Sequence, residues 1–366
     1  MRILHVYGGN LYGGVERLLV SFSQFRALAP GLEQEFGLCY GGRLWRELEA
    51  SGATIHNLGG VRLSRWWEVA RARARMRKFL ARRRFAVAVC HSWWSYGIFG
   101  PALRRAEVPV ALWIHDDPSR RGWLERWGLH RRPELALTYS AYIAGHAAAL
   151  WPERTAVCVG APVEARQPSS ERANPRKALR TAEDAVVVLQ VSRMEPWKGH
   201  TLLLQALALL EKDERWTAWI AGGAQRGHEE RFRAELEALG EKLGISDRIR
   251  WLGERTDVAA LMDAADIFCQ PNLGAEPYGI VFVEALASGL PVVATAMGGA
   301  QDIVRPECGR LAAPRPDAVA RALADLIAQR DLRLAMGAAA RARALAIADP
   351  RMCMESLESA LMGVAR

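Results

Sequence analysis

Two α/β domains in tandem, each built on a parallel sheet, are what this sequence predicts, and three observations carry the prediction. Short apolar runs of strand type alternate with longer helical patterns through most of the chain, which is the rhythm of a parallel sheet with crossover helices. The series breaks between Gly160 and Asp184, where Pro162, Pro168, Ser169, Ser170, Asn174 and Pro175 cluster, and then starts again. With 366 residues, the chain is long enough to bury two cores of ordinary size.

In order, Arg2 to Tyr7 is a strand-type run that ends in the glycine-rich loop GGNLYGG and leads into the helical pattern VERLLVSFSQF. Strand, glycine loop and helix form the phosphate-friendly opening of a doubly wound sheet, here without the GxGxxG spacing of a dinucleotide site. Further strands are expected at Phe36 to Tyr40, Phe85 to Cys90, Val110 to Ile114, Leu135 to Tyr139 and Thr155 to Val159. The loops after them, at His91, His115 and Ser140, would share the carboxyl edge, where ligands bind in open α/β sheets. The second series runs through Val186 to Val191, Thr217 to Ala221, Arg248 to Leu252, Ile267 to Gln270 and Val292 to Ala294. Helices such as His200 to Leu210 and Glu229 to Leu243 separate these runs, and Pro314 to Arg366 reads as several more. The expected divisions are 1–165, a linker at 166–184, 185–347, and a terminal helix within 348–366.

Half of the residues are apolar and 24% are charged, the profile of a soluble globular protein. The most apolar stretch, IVFVEALASGLPVVATAMGG, is interrupted by Glu284, Pro291 and glycines, and the start MRILHVYGGN does not read as a signal peptide, so a cytoplasmic location is expected. The six cysteines are scattered, without the close pairs that hold zinc, and are expected to be reduced and mostly buried. Residues 1–180 hold 28 Lys and Arg against 14 Asp and Glu, a balance of +14, whereas the remainder holds 21 against 26, or −5, within the total of +9. Such asymmetry gives the two halves different partners, and a basic half favours anionic ones.

Chemistry concentrates in the second half. In EPYGIVFVE, Glu276 to Glu284, a turn (Pro277, Tyr278, Gly279) precedes a buried helix start (Ile280, Val281), so the first helical amides and the dipole would attract a phosphate beside two carboxylates. A capped helix with two ordinary surface acids would read the same way. Upstream, SRMEPWKGH places Arg193 and Lys198 in one loop, a guanidinium fork and a point charge suited to a diphosphate, or simply two solvated cations. Gly223 would permit close backbone approach after the next strand, and backbone groups near Leu252 could meet a nucleobase edge.

Taken together, Arg193 with Lys198, EPYGIVFVE, the following ASGLPVVAT and the first-domain GGVER resemble family 4 of the retaining glycosyltransferases, which have the GT-B fold. The resemblance implies two Rossmann-like domains facing each other across a cleft, with a C-terminal helix returning to the first. It implies a nucleoside-diphosphate sugar as donor, a hydroxyl acceptor and no cofactor or metal. In this reading Arg193 and Lys198 hold the donor diphosphate, Glu276 lies beside the transferred sugar and Glu284 binds the ribose. Tyr278, Gly279, Ile280, Val281, Gly223 and Leu252 complete the donor side, and Gly14 approaches the phosphate from the first domain. His115 lies near the reacting sugar, with Gly13, His91 and Asp116 on the acceptor side. The chain departs from the family in having Gly160-Ala161-Pro162-Val163-Glu164 for the usual Asn-Gly-Val-Asp, and Asp302 where Glu is usual. A GT-B epimerase or phosphorylase, or a non-catalytic nucleotide-sugar binder, would keep the same donor site.

The remaining signal is the basic stretch Arg65 to Arg84, read as one helix with an apolar stripe of Trp66, Val69, Ala72, Met76, Phe79 and Leu80 opposite Arg71, Arg75, Lys78 and Arg82. It suits either a sheet-packed helix with a solvated face or a surface for anionic lipid, to which Trp93, Trp94, Arg120, Arg121 and Trp123 to Trp127 would add. Nucleic acid is not expected, because no binding motif accompanies the charge.

Overall fold

A computed structural model describes residues 1–9, 12–116, 131–151, 156–165, 173–210, 215–224 and 227–365. The chain divides into one unit of Met1–Pro162 with Ala348–Arg366, and a second of Val163–Ile347.

In the first unit the elements run β1 (Arg2–Tyr7), α1 (Gly14–Gln24), β2 (Glu33–Leu38), α2 (Arg43–Ala50), β3 (Thr54–Asn57), α3 (Trp66–Leu80), β4 (Val87–Cys90) and α4 (Trp93–Arg105). They continue with β5 (Val110–Trp113), β6 (Leu135–Thr138), α5 (Ala141–Leu150) and β7 (Val157–Cys158). Among the described residues the strands form one parallel sheet in the order β3-β2-β1-β4-β5-β6-β7. Strands β4, β5 and β6 are buried along their whole length, as strands covered by helices on both faces must be. The strand order reverses between β1 and β4, so the loops leaving their carboxyl ends flank the crevice at that switch point.

The second unit repeats the plan. It contains α6 (Ala173–Ala178), β8 (Val186–Val191), α7 (His200–Ala208), β9 (Trp216–Ala221), α8 (Gly227–Lys242), β10 (Ile249–Gly253), α9 (Val258–Ala264) and β11 (Ile267–Gln270). Then follow α10 (Ile280–Ala287), β12 (Val292–Thr295), α11 (Ala300–Ile303), β13 (Gly309–Ala312), α12 (Pro316–Ala328) and α13 (Arg330–Ala348). Its parallel sheet runs β10-β9-β8-β11-β12-β13, with the switch point between β8 and β11. The last helix, α14 (Pro350–Met362), belongs to the first unit, where Gly31 packs so closely on Glu358 that a Cβ would collide with its carboxylate.

Several expectations change. Strand β2 begins at Glu33 rather than Phe36 because the polar Gln34 and Glu35 are buried. Strands β3 and β13 were not predicted, since TIHN and GRLA carry no apolar run and lie at sheet edges. Within the stretch read as linker, residues 173–178 are helical and part of the second unit, held by Arg176, which donates to the Ala264 carbonyl at 2.9 Å and to Asp266 Oδ2 at 2.5 Å.

Helix α3 buries Val69, Ala72, Met76 and Leu80, but Trp66 leaves the expected stripe and is 76% exposed. Two of its arginines are structural latches. Arg73 donates to the Ile98 and Gly97 carbonyls of α4 at 2.9 and 3.0 Å, and Arg75 donates to the Leu58 carbonyl at 3.0 Å. Trp93 is buried against Trp151 and Tyr96 rather than presented at the edge. Residues 117–130, including Arg120, Arg121 and Trp123 to Trp127, lie outside the described residues. Among the described residues no helix is long and apolar enough to cross a membrane.

Candidate active site

In the second unit, the loop between β8 and α7 carries Arg193 and Lys198 and folds over the end of β11. Gly199 makes the sharp turn into α7 with φ +78°, and a Cβ there would collide with the Pro271 carbonyl. The Leu273 amide donates to the Trp197 carbonyl at 2.7 Å, which ties this loop to the segment after β11. From below, Gln190 Nε2 donates to the Lys198 carbonyl at 2.9 Å. These bonds bring Lys198 to Glu276, with its ammonium paired to Glu276 Oε2 and stacked 3.9 Å over the Trp197 ring. Asn272 Nδ2 donates to the same carboxylate oxygen at 3.1 Å, and Asn272 is itself fixed by Gln270 at 3.1 Å and by Thr295, which donates to its carbonyl at 2.7 Å. The side chains of Lys198 and Glu276 are only 12% and 14% exposed, so each neutralises a charge that would be costly to leave alone. Arg193 remains a third exposed, 3.1 Å from Glu195 and 3.9 Å from Glu229.

Helix α10 starts beside this cluster. Gly279 is its N-cap with φ +92°, followed by buried Ile280 and Phe282 and half-buried Val281 and Glu284, and Tyr278 is buried immediately before it. The approach to the helix is clamped by Gly298 and Gly299. The Gly299 amide donates to the Glu276 carbonyl at 2.7 Å, and a Cβ at Gly299 would press on the Tyr278 and Pro277 backbones. Glu276, the amides of α10 and two cations thus stand at the carboxyl ends of β8 and β11, the strands that flank the switch point. His200, at the start of α7, is buried with Nε2 3.2 Å from Ser192 Oγ, and burial together with the Lys198 charge holds its pKa down at about 4.

In the first unit, Gly13 caps α1 and donates its amide to Glu16 at 2.8 Å, while Gly14 is the exposed first residue of the helix. His115 ends the segment after β5, is 7% exposed, and is followed by exposed Asp116. His91 was expected on the acceptor side, but it is fully buried, with its ring nitrogens 2.8 Å from His5 and 3.3 Å from His115. Its ring is enclosed by His5 of β1 and Trp113 of β5, the strands on either side of β4.

With this geometry in place, residues 171–343 match the family Glycosyl transferases group 1. The matched residues lie within the second unit. Among curated proteins, the chain is 39% identical over 189 residues to the D-inositol 3-phosphate glycosyltransferase of Corynebacterium urealyticum, a match covering 49% of the chain and 44% of the relative. It is 32% identical over 203 residues to the lipopolysaccharide core biosynthesis mannosyltransferase LpsB of Rhizobium meliloti, with 55% and 56% covered. The chain spans about half the length of the curated relatives it matches. Among solved structures, Anabaena HepE in complex with UDP and glucose superposes with a TM-score of 0.88 at 22% identity, over 99% of both chains. Sucrose-phosphate synthase from Thermosynechococcus elongatus gives 0.82 at 19%, over the full length of both. These likenesses show the fold, GT-B with two Rossmann-like units.

Within the second unit the structure adds residues that the sequence did not single out. Asn272, Gln270 and Thr295 orient Glu276, and Gly298 with Gly299 permit its backbone to lie where it does. The only visible signal was the glycine pair in ATAMGGA. Trp197 is the stacking partner of Lys198. Gly222, not Gly223, has the demanding backbone, with φ +154° and no room for a Cβ against the Ser192 carbonyl. Leu252 lies half-buried in β10, beside the register irregularity between Trp251 and Gly253.

Proposed function

We propose that the chain is a retaining glycosyltransferase that moves a hexosyl group from a nucleoside-diphosphate sugar to a hydroxyl acceptor of a glycan or lipid. The observation that supports this reading best is the cluster at the second switch point: Lys198 locked to Glu276 at the foot of α10, with Arg193 in the same loop. In the proposed step the bond from the anomeric carbon to the diphosphate oxygen breaks as the acceptor oxygen attacks from the same face. The hydroxyl proton passes to the departing diphosphate. Negative charge grows on that diphosphate, and Arg193, Lys198 and the amides of Gly279, Ile280 and Val281 meet it in a preorganised setting. Lys198 then exchanges part of its bond to Glu276 for the phosphate, which frees the carboxylate to hold the transferred sugar. Glu284, one turn into α10, takes the ribose. In the first unit, Gly14 approaches the diphosphate, His115 contacts the reacting sugar, and Gly13 and Asp116 serve the acceptor.

The test is to incubate the protein with a panel of nucleotide sugars, UDP-glucose first because HepE is crystallised with UDP and glucose, and to measure free nucleoside diphosphate with and without candidate acceptors. Release that depends on acceptor supports transfer. Isomerised sugar, or phosphate-dependent release, would replace transfer with epimerisation or phosphorolysis on the same site.

A peripheral membrane association belongs to the same proposal. Trp66 and Trp67 are 76% and 43% exposed at the start of α3, and Arg71, Arg77, Lys78 and Arg82 are exposed along and just beyond it. Two indoles beside a cationic face suit an anionic bilayer that would carry a lipid-linked acceptor.

A further inference from the structure

The first unit contains a hydrogen-bonded line of side chains of which only His115 has a part in the step above. Gln34 Oε1 lies 3.2 Å from His5 Nε2; His5 Nδ1 lies 2.8 Å from His91 Nε2; His91 Nδ1 lies 3.3 Å from His115 Nε2; and His115 Nδ1 lies 2.9 Å from the Tyr139 hydroxyl. Gln34 belongs to β2 and His5 to β1, while His91, His115 and Tyr139 follow β4, β5 and β6. The line therefore takes one residue from within or just after each of five adjacent strands, in the order in which they lie in the sheet, and rises from within β2 to the carboxyl edge. All five residues are buried, and Trp113 stacks on His91 and His115 at ring separations of 5.5 and 6.0 Å.

Hydrogen-bond arithmetic assigns the protons. An amide oxygen can only accept, so His5 carries its proton on Nε2 and offers a lone pair at Nδ1. His91 must then donate from Nε2 and accept at Nδ1. His115 must in turn donate from Nε2 and accept the Tyr139 hydroxyl proton at Nδ1. Each imidazole is neutral with one donor and one acceptor satisfied, and burial, which disfavours imidazolium at all three positions, agrees with that state. A single polarity runs from Gln34 to Tyr139, and reversing any one ring would set two donors or two lone pairs face to face.

We infer that Gln34, His5 and His91 are positioning residues that set the tautomer and ring plane of His115 through this cross-sheet line. The inference rests on the proposed role of His115 at the sugar. A ring held by neighbours at both nitrogens and stacked on Trp113 does not act as a general base; it is a fixed ring at the carboxyl edge of the sheet. These three residues act at a distance from any substrate, through the orientation of His115.

The test uses the full chain with 15N-labelled histidine and compares wild type with Gln34→Leu, Gln34→Glu and His91→Phe. Imidazole NMR of the wild type should show His115 protonated at Nε2 and bare at Nδ1 between pH 6 and 8. Gln34→Leu should mix the two tautomers, and Gln34→Glu, which keeps an acceptor for His5 Nε2, should restore one. In the transfer assay, kcat of Gln34→Leu and His91→Phe should fall about tenfold while the donor KM changes less than twofold, and Gln34→Glu should recover most of the loss. His115 protonated at Nδ1, or a tautomer indifferent to Gln34→Leu, would overturn the inference, as would a mixed tautomer with unchanged kcat. If the wild type transfers no sugar, the proposed function fails, and the NMR comparison alone still decides whether the line governs His115.

Discussion

Lys198 is held by a carboxylate, an indole and, through its backbone, a buried glutamine, and this triple attachment makes it the pivot of the second unit. Glu276 depends equally on its surroundings, since its backbone fits only because Gly298 and Gly299 lack side chains. Gly299→Ala forces the Tyr278 segment to move, with an expected cost of roughly 1–3 kcal/mol, the range for overpacking a tight site. A lower denaturation midpoint together with weaker nucleotide binding would agree; an unchanged midpoint would show that the clamp is looser than its contacts indicate. At this scale the sequence was informative about charge and uninformative about partnership. Arg193, Lys198, Glu276 and Glu284 stood out by type and spacing, but Asn272, Gln190 and Trp197 matter through contacts between segments distant in sequence or across a turn that spacing does not reveal. His91 was misread for the same reason: a polar residue after a strand marks the carboxyl edge, yet only the neighbouring strands decide whether its ring turns outward or into the sheet.

Among the elements, helix α10 was legible because Gly279 and the run IVFVEALA leave little choice: a left-handed cap followed by a helix that is apolar almost all round must be buried. Two of the four edge strands, β3 and β13, were not legible, since TIHN and GRLA are half-covered and need no apolar run. Helix α3 shows both outcomes. Its buried face followed from periodicity, whereas its first turn, with Trp66 and Trp67 facing solvent, broke the period. If that turn meets a bilayer, the protein should sediment with vesicles containing anionic lipid at low ionic strength, and Trp66→Ser with Trp67→Ser should reduce binding at least severalfold. Binding that ignores both salt and the indoles would rule the helix out as the contact.

Across the whole molecule, two parallel sheets of the same strand logic were visible in the alternation of runs, because parallel strands buried on both faces must be apolar. The same burial has a consequence for stability. His5, His115 and His200 are held neutral, with pKa values pushed down to about 4, about 3 and about 4 from 6.5. Below pH 6.5 the unfolded chain binds protons that the folded chain refuses, so stability is full above that value and declines as pH falls toward 4. The decline amounts to roughly 1 kcal/mol per histidine per pH unit in that window. The thermal midpoint should therefore drop between pH 7.5 and pH 5, before most carboxylates titrate; a flat midpoint would contradict the buried, neutral histidines.

The cluster around Lys198 and Glu276 is proposed to carry a group-transfer reaction. Its most direct measurement is acceptor-dependent release of nucleoside diphosphate by wild type, Lys198→Ala and Glu276→Gln, with folding checked for each. The wild type should release nucleoside diphosphate, and kcat should fall by about 10²–10³ for Lys198→Ala, the loss typical of removing a preorganised donor at developing charge, with Glu276→Gln also strongly impaired. Variants that fold and release nucleoside diphosphate at the wild-type rate would contradict it.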